Sequence, residues 1–324
     1  MKKKQLKALL KLISNGTSLG YLTSKKSKII TIDSWMDQYE NIVLEQTQYK
    51  LQTIRNRRAI FKHIRCLWGI VALDKLKPFE IAAALKDIRT THPSTAQRIL
   101  AELRQVYQEA IANNYVETNP ALHIKNFRVS VQRKRLSYLN WKKMYFYAKL
   151  EHAQRWVHIM LLLGVITGQR RADLAKMKYS DVKDGYLYIE QQKQAGKGYG
   201  ARIALPLNLR LDALNLTLGD VIERSKKYGI LGDHILRKAN GDALELSSLS
   251  IRFMECLKAV TDEEDFLPGE RPSLHEIRSL SARMYQKQGL DTQTLLGHKH
   301  ADMTAVYEDD RGLGARKYKK LILK

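Results

Sequence analysis

Apolar residues recur at helical spacing through the first third of the chain. Trp35, Tyr39 and Ile42 follow Asp33, which is expected to cap the first of these helices. A second helix is expected from about Thr53 to Trp68, apolar at Ile54, Ile60, Phe61 and Ile64, with Arg55, Arg57, Arg58 and Lys62 on its other face. Pro78-Phe79-Glu80 opens a third, and Pro93-Ser94 a fourth that runs through Ala112 and is stopped by Asn113-Asn114 and Asn119-Pro120. Residues 31–125 therefore predict a compact helical domain with one basic face. Ahead of it, Leu6, Leu9, Leu10 and Ile13 predict a short amphipathic helix, and the Ser-, Gly-, Thr- and Lys-rich stretch up to residue 30 predicts a tether.

The texture changes after residue 125. Residues 126–137 show no apolar period and carry Arg128, Arg133, Lys134 and Arg135, so they predict a basic linker. From residue 138 the pattern is mixed. Trp156 to Ile166 is nearly all apolar and predicts a buried helix. Tyr186-Leu187-Tyr188-Ile189 and Arg202-Ile203-Ala204-Leu205 predict two strands joined by a turn containing Gly196, Gly198 and Gly200. Helical patterns resume at Leu246. The fold class expected is mainly α with a small β-sheet: a helical domain followed by a mixed α/β domain over 138–324.

Charge narrows the function. With 56 Lys and Arg against 33 Asp and Glu, the net charge is +23 in 324 residues. Such an excess points to a polyanionic partner, nucleic acid first and anionic membrane second. The longest apolar run, Ile159 to Ile166, is eight residues, against the ~20 that span a bilayer. Cys66 and Cys256 are the only cysteines, which gives neither a disulfide framework nor a metal-ligand pair and suits a reducing compartment.

Four clusters carry candidate chemistry: Thr167-Gly168-Gln169-Arg170; His275-Glu276-Ile277-Arg278; Leu295-Leu296-Gly297-His298; and Tyr307 nine residues later, ahead of Glu308-Asp309-Asp310-Arg311. Taken singly, each has an ordinary structural explanation. An arginine after an apolar helix usually caps carbonyls, and Tyr307 is one of sixteen tyrosines. In this order and spacing, however, the clusters resemble the tyrosine recombinase (phage integrase) family. The resemblance is strongest over 137–312 and weaker over 31–125.

That resemblance implies a helical core-binding domain over 31–125 and a catalytic domain over 138–324 with a tail over 308–324. It also implies a nucleophile at Tyr307 that forms a 3′-phosphotyrosyl bond and frees a 5′-hydroxyl. Arg170 and Arg278 match the family's phosphate clamp, where rigid guanidinium forks suit a developing phosphoryl anion. His275 matches the histidine that bonds the phosphate and helps move the phenol proton, His298 a further phosphate donor, and Asp173 an orienting acid. The general acid for the leaving oxygen is expected at Lys193, with Lys197 as competitor because the turn is longer than the family's usual one. DNA contacts are expected from Arg55, Arg57, Arg58, Lys62, Arg128, Arg133, Lys134 and Arg135.

The same resemblance implies no metal and no cofactor, in keeping with the absence of a phosphate-binding Gly-rich loop. It implies a homotetramer on double-stranded attachment sites in a bacterial cytosol, on the nucleoid, with an excisionase and a DNA-bending host protein as accessory partners. The function expected is a site-specific recombinase that integrates and excises a phage or prophage genome through a Holliday junction. A dimer-resolving recombinase shares this site, a type IB topoisomerase shares its nucleophile, and a catalytically silent DNA-binding regulator shares its fold. Possession of all six catalytic positions speaks against the silent form. Residues 1–30 are too few for an arm-binding domain and read as its remnant or as the end of a longer one.

Overall fold

The computed structural model describes residues 29–46, 49, 51–127, 129, 132–151, 153–191 and 200–313. The expected amphipathic helix and most of its tether, Arg128, Lys193, Lys197 and the tail beyond residue 313 lie outside those residues. The chain divides into two compact units, residues 1–130 and 131–324.

The first unit holds four helices, α1 (Ile32–Gln46), α2 (Leu51–Trp68), α3 (Pro78–Thr91) and α4 (Pro93–Ala112), and a 3₁₀ turn, Pro120–His123. Their buried positions follow helical periodicity: Ile32, Trp35, Met36 and Tyr39 in α1, and Ile60, Phe61, Ile64 and Trp68 in α2. Both face α4, which buries Ile99, Leu100, Leu103, Val106 and Tyr107. Proline opens α3 and α4 at their first positions, where its missing N–H costs nothing. Asp33 does not cap α1. The Ser34 N–H bonds Thr31 Oγ1 at 3.2 Å, so Thr31 takes that place, and Asp33 instead receives Arg65 from α2.

The second unit is built round α6 (Trp156–Thr167), every residue of which is buried except His158. A helix apolar on all sides needs neighbours on all sides. α5 (Tyr138–Leu150), α8 (Leu218–Lys226), α9 (Leu246–Val260) and α10 (Glu276–Lys287) supply them. After α6 come the single turn α7 (Arg171–Leu174) and an antiparallel sheet of β1 (Val182–Lys183), β2 (Tyr186–Glu190) and β3 (Arg202–Pro206) in that order. Asp184 and Gly185, both at positive φ, make the tight turn between β1 and β2. β2 and β3 pair from Tyr186↔Pro206 to Glu190↔Arg202, with Leu187 and Ile189 turned into the core. A second ribbon, β4 (Arg210–Leu211) and β5 (Leu216–Thr217), precedes α8. Two short helices, α11 (Thr292–Leu296) and α12 (Ala301–Glu308), close the described chain.

Part of the expected linker belongs to this second unit. The Lys134 N–H bonds Glu270 O at 2.7 Å, the Arg135 N–H bonds Arg311 O at 2.9 Å, and Leu136 is fully buried. Arg135 was expected on DNA, and the structure contradicts this: the residue is 4% exposed. Its guanidinium donates to Glu276 Oε2 at 2.9 Å, to Asp309 Oδ1 at 2.7 Å and to the Val306 carbonyl. It thereby fastens the end of α12 to the start of α10. Charge type alone could not separate this inward brace from its exposed neighbour Arg133. Removing one partner of a buried pair leaves the other uncompensated, so Arg135→Ala is expected to cost about 3–5 kcal/mol in urea unfolding. A loss below about 1 kcal/mol, typical of an exposed pair, would contradict that assignment.

Candidate active site

Two breaks in helical structure make the floor of the site. Gly168 ends α6 at φ +64°, and Gly297 ends α11 at the same angle. A side chain at either would be strained, and it would also collide: a Cβ on Gly168 would lie 2.9 Å from Ser281 Oγ, and one on Gly297 2.9 Å from Gln191 Nε2. The chain thus turns sharply where α6, the end of β2, α10 and α11 converge.

Arg278, on the first turns of α10, points into this convergence and is 1% exposed. It donates to Gly168 O and to Leu296 O, both at 2.6 Å, and to His298 Nε2 at 2.9 Å. Burial and the charge of Arg170 bring its guanidinium down to about 10, which leaves it charged at neutral pH. Because His298 Nε2 accepts from Arg278, its proton sits on Nδ1 and is donated to Thr304 Oγ1 at 2.9 Å. His298 is 6% exposed, and burial, then Arg278 and Arg170, push its imidazole down to about 4. Both ring nitrogens are therefore engaged. The expected direct phosphate donor is, in this geometry, a prop for Arg278.

Tyr307 lies on the last turn of α12, half-buried, with its ring centre 5.4 Å from the Arg278 guanidinium carbon. Its backbone carbonyl accepts from Ser279 Oγ at 2.6 Å, and the Ser279 hydroxyl is in turn held by Arg283 at 2.7 Å. Glu308 accepts from Thr292 Oγ1 at 2.6 Å. The phenol oxygen stands 3.0 Å from His275 Nε2. His275 faces the open cleft, yet partial loss of hydration, then Arg278, Arg170, Arg135 and Arg133, push it down to about 4. A neutral imidazole carrying its proton on Nδ1 can accept the phenol hydrogen at Nε2.

Arg170 is half-buried beside the same cleft and donates to Gln191 Oε1 at 2.8 Å. Asp173 is buried one helical turn later, where its charge favours the protonated Arg278. The cleft encloses about 670 Å³ and is lined by Arg170, His275 and Tyr307 together with Arg171, Lys299 and His300. It thus brings together Arg170, His275 and Tyr307, with Arg278 and His298 directly behind. Lys193 and Lys197 lie outside the described residues. The remaining expected DNA contacts are uneven. Arg55, Lys62 and Arg133 are exposed; Arg58 is exposed but paired with Glu40 at 2.6 Å; Lys134 is paired with Glu270 at 2.7 Å. Arg57 contradicts its expected role, since its largely covered guanidinium is held by Glu102, Tyr39 and Tyr49.

The matches to known proteins converge on one family. The model described as "Phage integrase family" matches residues 134–312, and that described as "Phage integrase central domain" matches residues 33–126. The chain belongs to the phage integrase family. The integrase of Enterobacteria phage 434 is 36% identical over 298 residues, 91% of this chain and 80% of that protein. The prophage integrase IntE of Escherichia coli (strain K12) is 34% identical over 307 residues, covering 90% of this chain and 79% of that one. A lambda integrase tetramer solved bound to a Holliday junction superposes with a TM-score of 0.82 at 32% identity, over 98% of this chain and 90% of that chain.

Sequence reasoning did not reach several groups round this integrase-family site. Gln169 and Gln191 are both nearly inaccessible, as are Glu276 and Arg283. Gln169 stood inside a motif already singled out, and Gln191 two residues before Lys193, but an amide gives no periodic signal. Lys299 followed His298 directly and could have been read as a further cation at the same glycine break.

Proposed function

We infer that the protein is a site-specific tyrosine recombinase that cuts and rejoins DNA, and that it integrates and excises a phage or prophage genome. The observation that carries this reading is the 3.0 Å approach of Tyr307 Oη to a neutral His275 in front of a buried, charged Arg278. A phenol needs help to lose its proton before it can attack, and His275 Nε2 is placed to take it. The oxygen then attacks the scissile phosphorus, forming the 3′-phosphotyrosyl bond and breaking the bond to the 5′-oxygen. Arg170 and Arg278 hold the charge that spreads over the phosphoryl oxygens. Lys193, or Lys197 on the same turn, donates the proton that the leaving 5′-oxygen requires. Attack on the phosphotyrosine by a partner strand's 5′-hydroxyl reverses each step and frees Tyr307. The phosphodiester energy is kept in the covalent link, so no nucleotide cofactor enters.

The same reading gives the helical unit, through Arg55, Arg58 and Lys62, and the exposed Arg133 the task of binding backbone phosphates. Four copies assemble on paired attachment sites in the bacterial cytosol, with an excisionase and a DNA-bending host protein setting direction. Among the described residues no helix is long and apolar enough to cross a membrane.

The test is strand exchange between two duplexes carrying attachment sequences recovered from the element's junctions. Covalent protein–DNA species followed by recombinant products are expected. Tight binding with neither product is the outcome that belongs to a silent DNA-binding regulator.

A further inference from the structure

We propose that Gln191 is a positioning residue that sets the direction of the Arg170 guanidinium and ties it to the carbonyl that Arg278 uses. This rests on the recombinase reading above. Gln191 follows β2 directly, is 2% exposed, and has a side chain whose hydrogen-bonding capacity is spent inside the site. Its Nε2 donates to Gln169 Oε1 at 2.7 Å and to Leu296 O at 2.9 Å, and its Oε1 accepts from Arg170 Nη1 at 2.8 Å. Only this orientation of the amide works. Turned over, its NH₂ would face the guanidinium and its oxygen would face two acceptors.

Three strands of evidence separate this role from ordinary packing. The strand end is held without the side chain, because the Gln191 N–H bonds Ala201 O at 2.9 Å. Leu296 O is a shared acceptor, taking Gln191 on one side and Arg278 Nη2 at 2.6 Å on the other, so the two arginines are fixed relative to one atom. Gln169 continues the chain by donating to Thr167 O at 2.8 Å and Leu295 O at 2.9 Å, which joins the end of α6 to the end of α11. The amide is also the right chemistry. A neutral oxygen orients Arg170 and leaves its charge for a phosphate, whereas a carboxylate in the same place would form an ion pair and spend that charge. The close approach of Nε2 to Gly297 explains why no side chain fits there.

A double-mutant cycle tests this, read as single-turnover cleavage of a nicked attachment-site duplex. Arg170→Ala is expected to slow cleavage roughly 10²–10³-fold, as loss of a charge-stabilising donor does. Gln191→Met, similar in size and without the amide, is expected to slow it about 10–100-fold while DNA affinity changes less than about threefold. In the Arg170→Ala background, Gln191→Met should then cost less than about threefold, because residues acting as one unit are not additive. Gln191→Leu also lacks the amide, adds no charge, and should show the same pattern, which covers the case in which the methionine protein does not fold. Losses that multiply in both cycles, or parental cleavage by either single variant, overturn the inference while leaving the recombinase reading intact. Absence of any cleavage by the unmodified protein removes both.

Discussion

A Tyr307→Phe protein is expected to bind its DNA site at close to the parental affinity and to form no covalent adduct. The substitution removes one oxygen. What that oxygen contributes to the fold is a hydrogen bond to His275 at 3.0 Å and an interaction with the Arg278 guanidinium. A hydrogen bond is worth about 0.5–1.5 kcal/mol net, and water can replace the first because His275 faces the cleft. Helix α12 keeps its other anchors. Ser279 Oγ on the Tyr307 carbonyl, Arg135 on the Val306 carbonyl and Thr292 on Glu308 involve no phenol. Loss of the nucleophile should therefore appear in the chemistry alone, as a fall of roughly 10⁴–10⁶-fold, the range seen when one member of a catalytic unit is removed. Gel-resolved adduct yield and gel-shift affinity, measured on the same preparation, check both halves. Adduct formation within tenfold of the parental yield would sink the assignment.

Arg278→Ala is expected to have the next largest effect, and of a different kind. The guanidinium is the positive charge behind the nucleophile, and it also supplies the donors for Gly168 O, Leu296 O and His298 Nε2. Removing an oxyanion donor alone costs about 10²–10³ in rate. Here the two glycine turns and the imidazole lose their common tie as well, so cleavage should fall by more than about 10³-fold. Arg278→Lys should recover little, since one ammonium cannot reach three acceptors in a fork. Folding is affected too: Leu296 O keeps Gln191 as a donor, but Gly168 O loses Arg278 and costs about 1–3 kcal/mol if it stays dry. Cleavage rates at full site occupancy and a urea titration separate the two losses. Cleavage within tenfold of the parental rate would mean that Arg278 is a structural tie only.

Much of the layout is legible in the sequence. Helices α1 to α4 follow from apolar spacing and proline starts, α6 from its unbroken apolar run, and the β2–β3 pair from two short strand patterns. The start of α1 was misread because Thr31 and Asp33 are both good capping residues, and only contact with Arg65 on α2 decides between them. The basic residues were the harder problem. Arg133 and Arg135 stand two apart in one run, yet one is exposed and the other buried against acids 141 and 174 positions away. Nothing local encodes such a pairing. His298 was readable as a member of the site, but its orientation was not. That depends on Arg278 and Thr304 meeting its two nitrogens, a consequence of how α10, α11 and α12 pack. The amides of Gln169 and Gln191 were hidden for a similar reason, since their partners are mostly backbone carbonyls.

The central claim is that Tyr307 becomes the covalent carrier of the DNA strand. The most direct measurement traps the intermediate on a nicked attachment-site duplex whose short 5′-hydroxyl fragment diffuses away, digests the protein, and locates the nucleotide-bearing peptide by mass spectrometry. The account predicts one modified peptide, containing Tyr307, joined through the 3′-phosphate, with a free 5′-hydroxyl on the released fragment. A modified serine, histidine or other tyrosine, or a linkage through the 5′-phosphate, would contradict it.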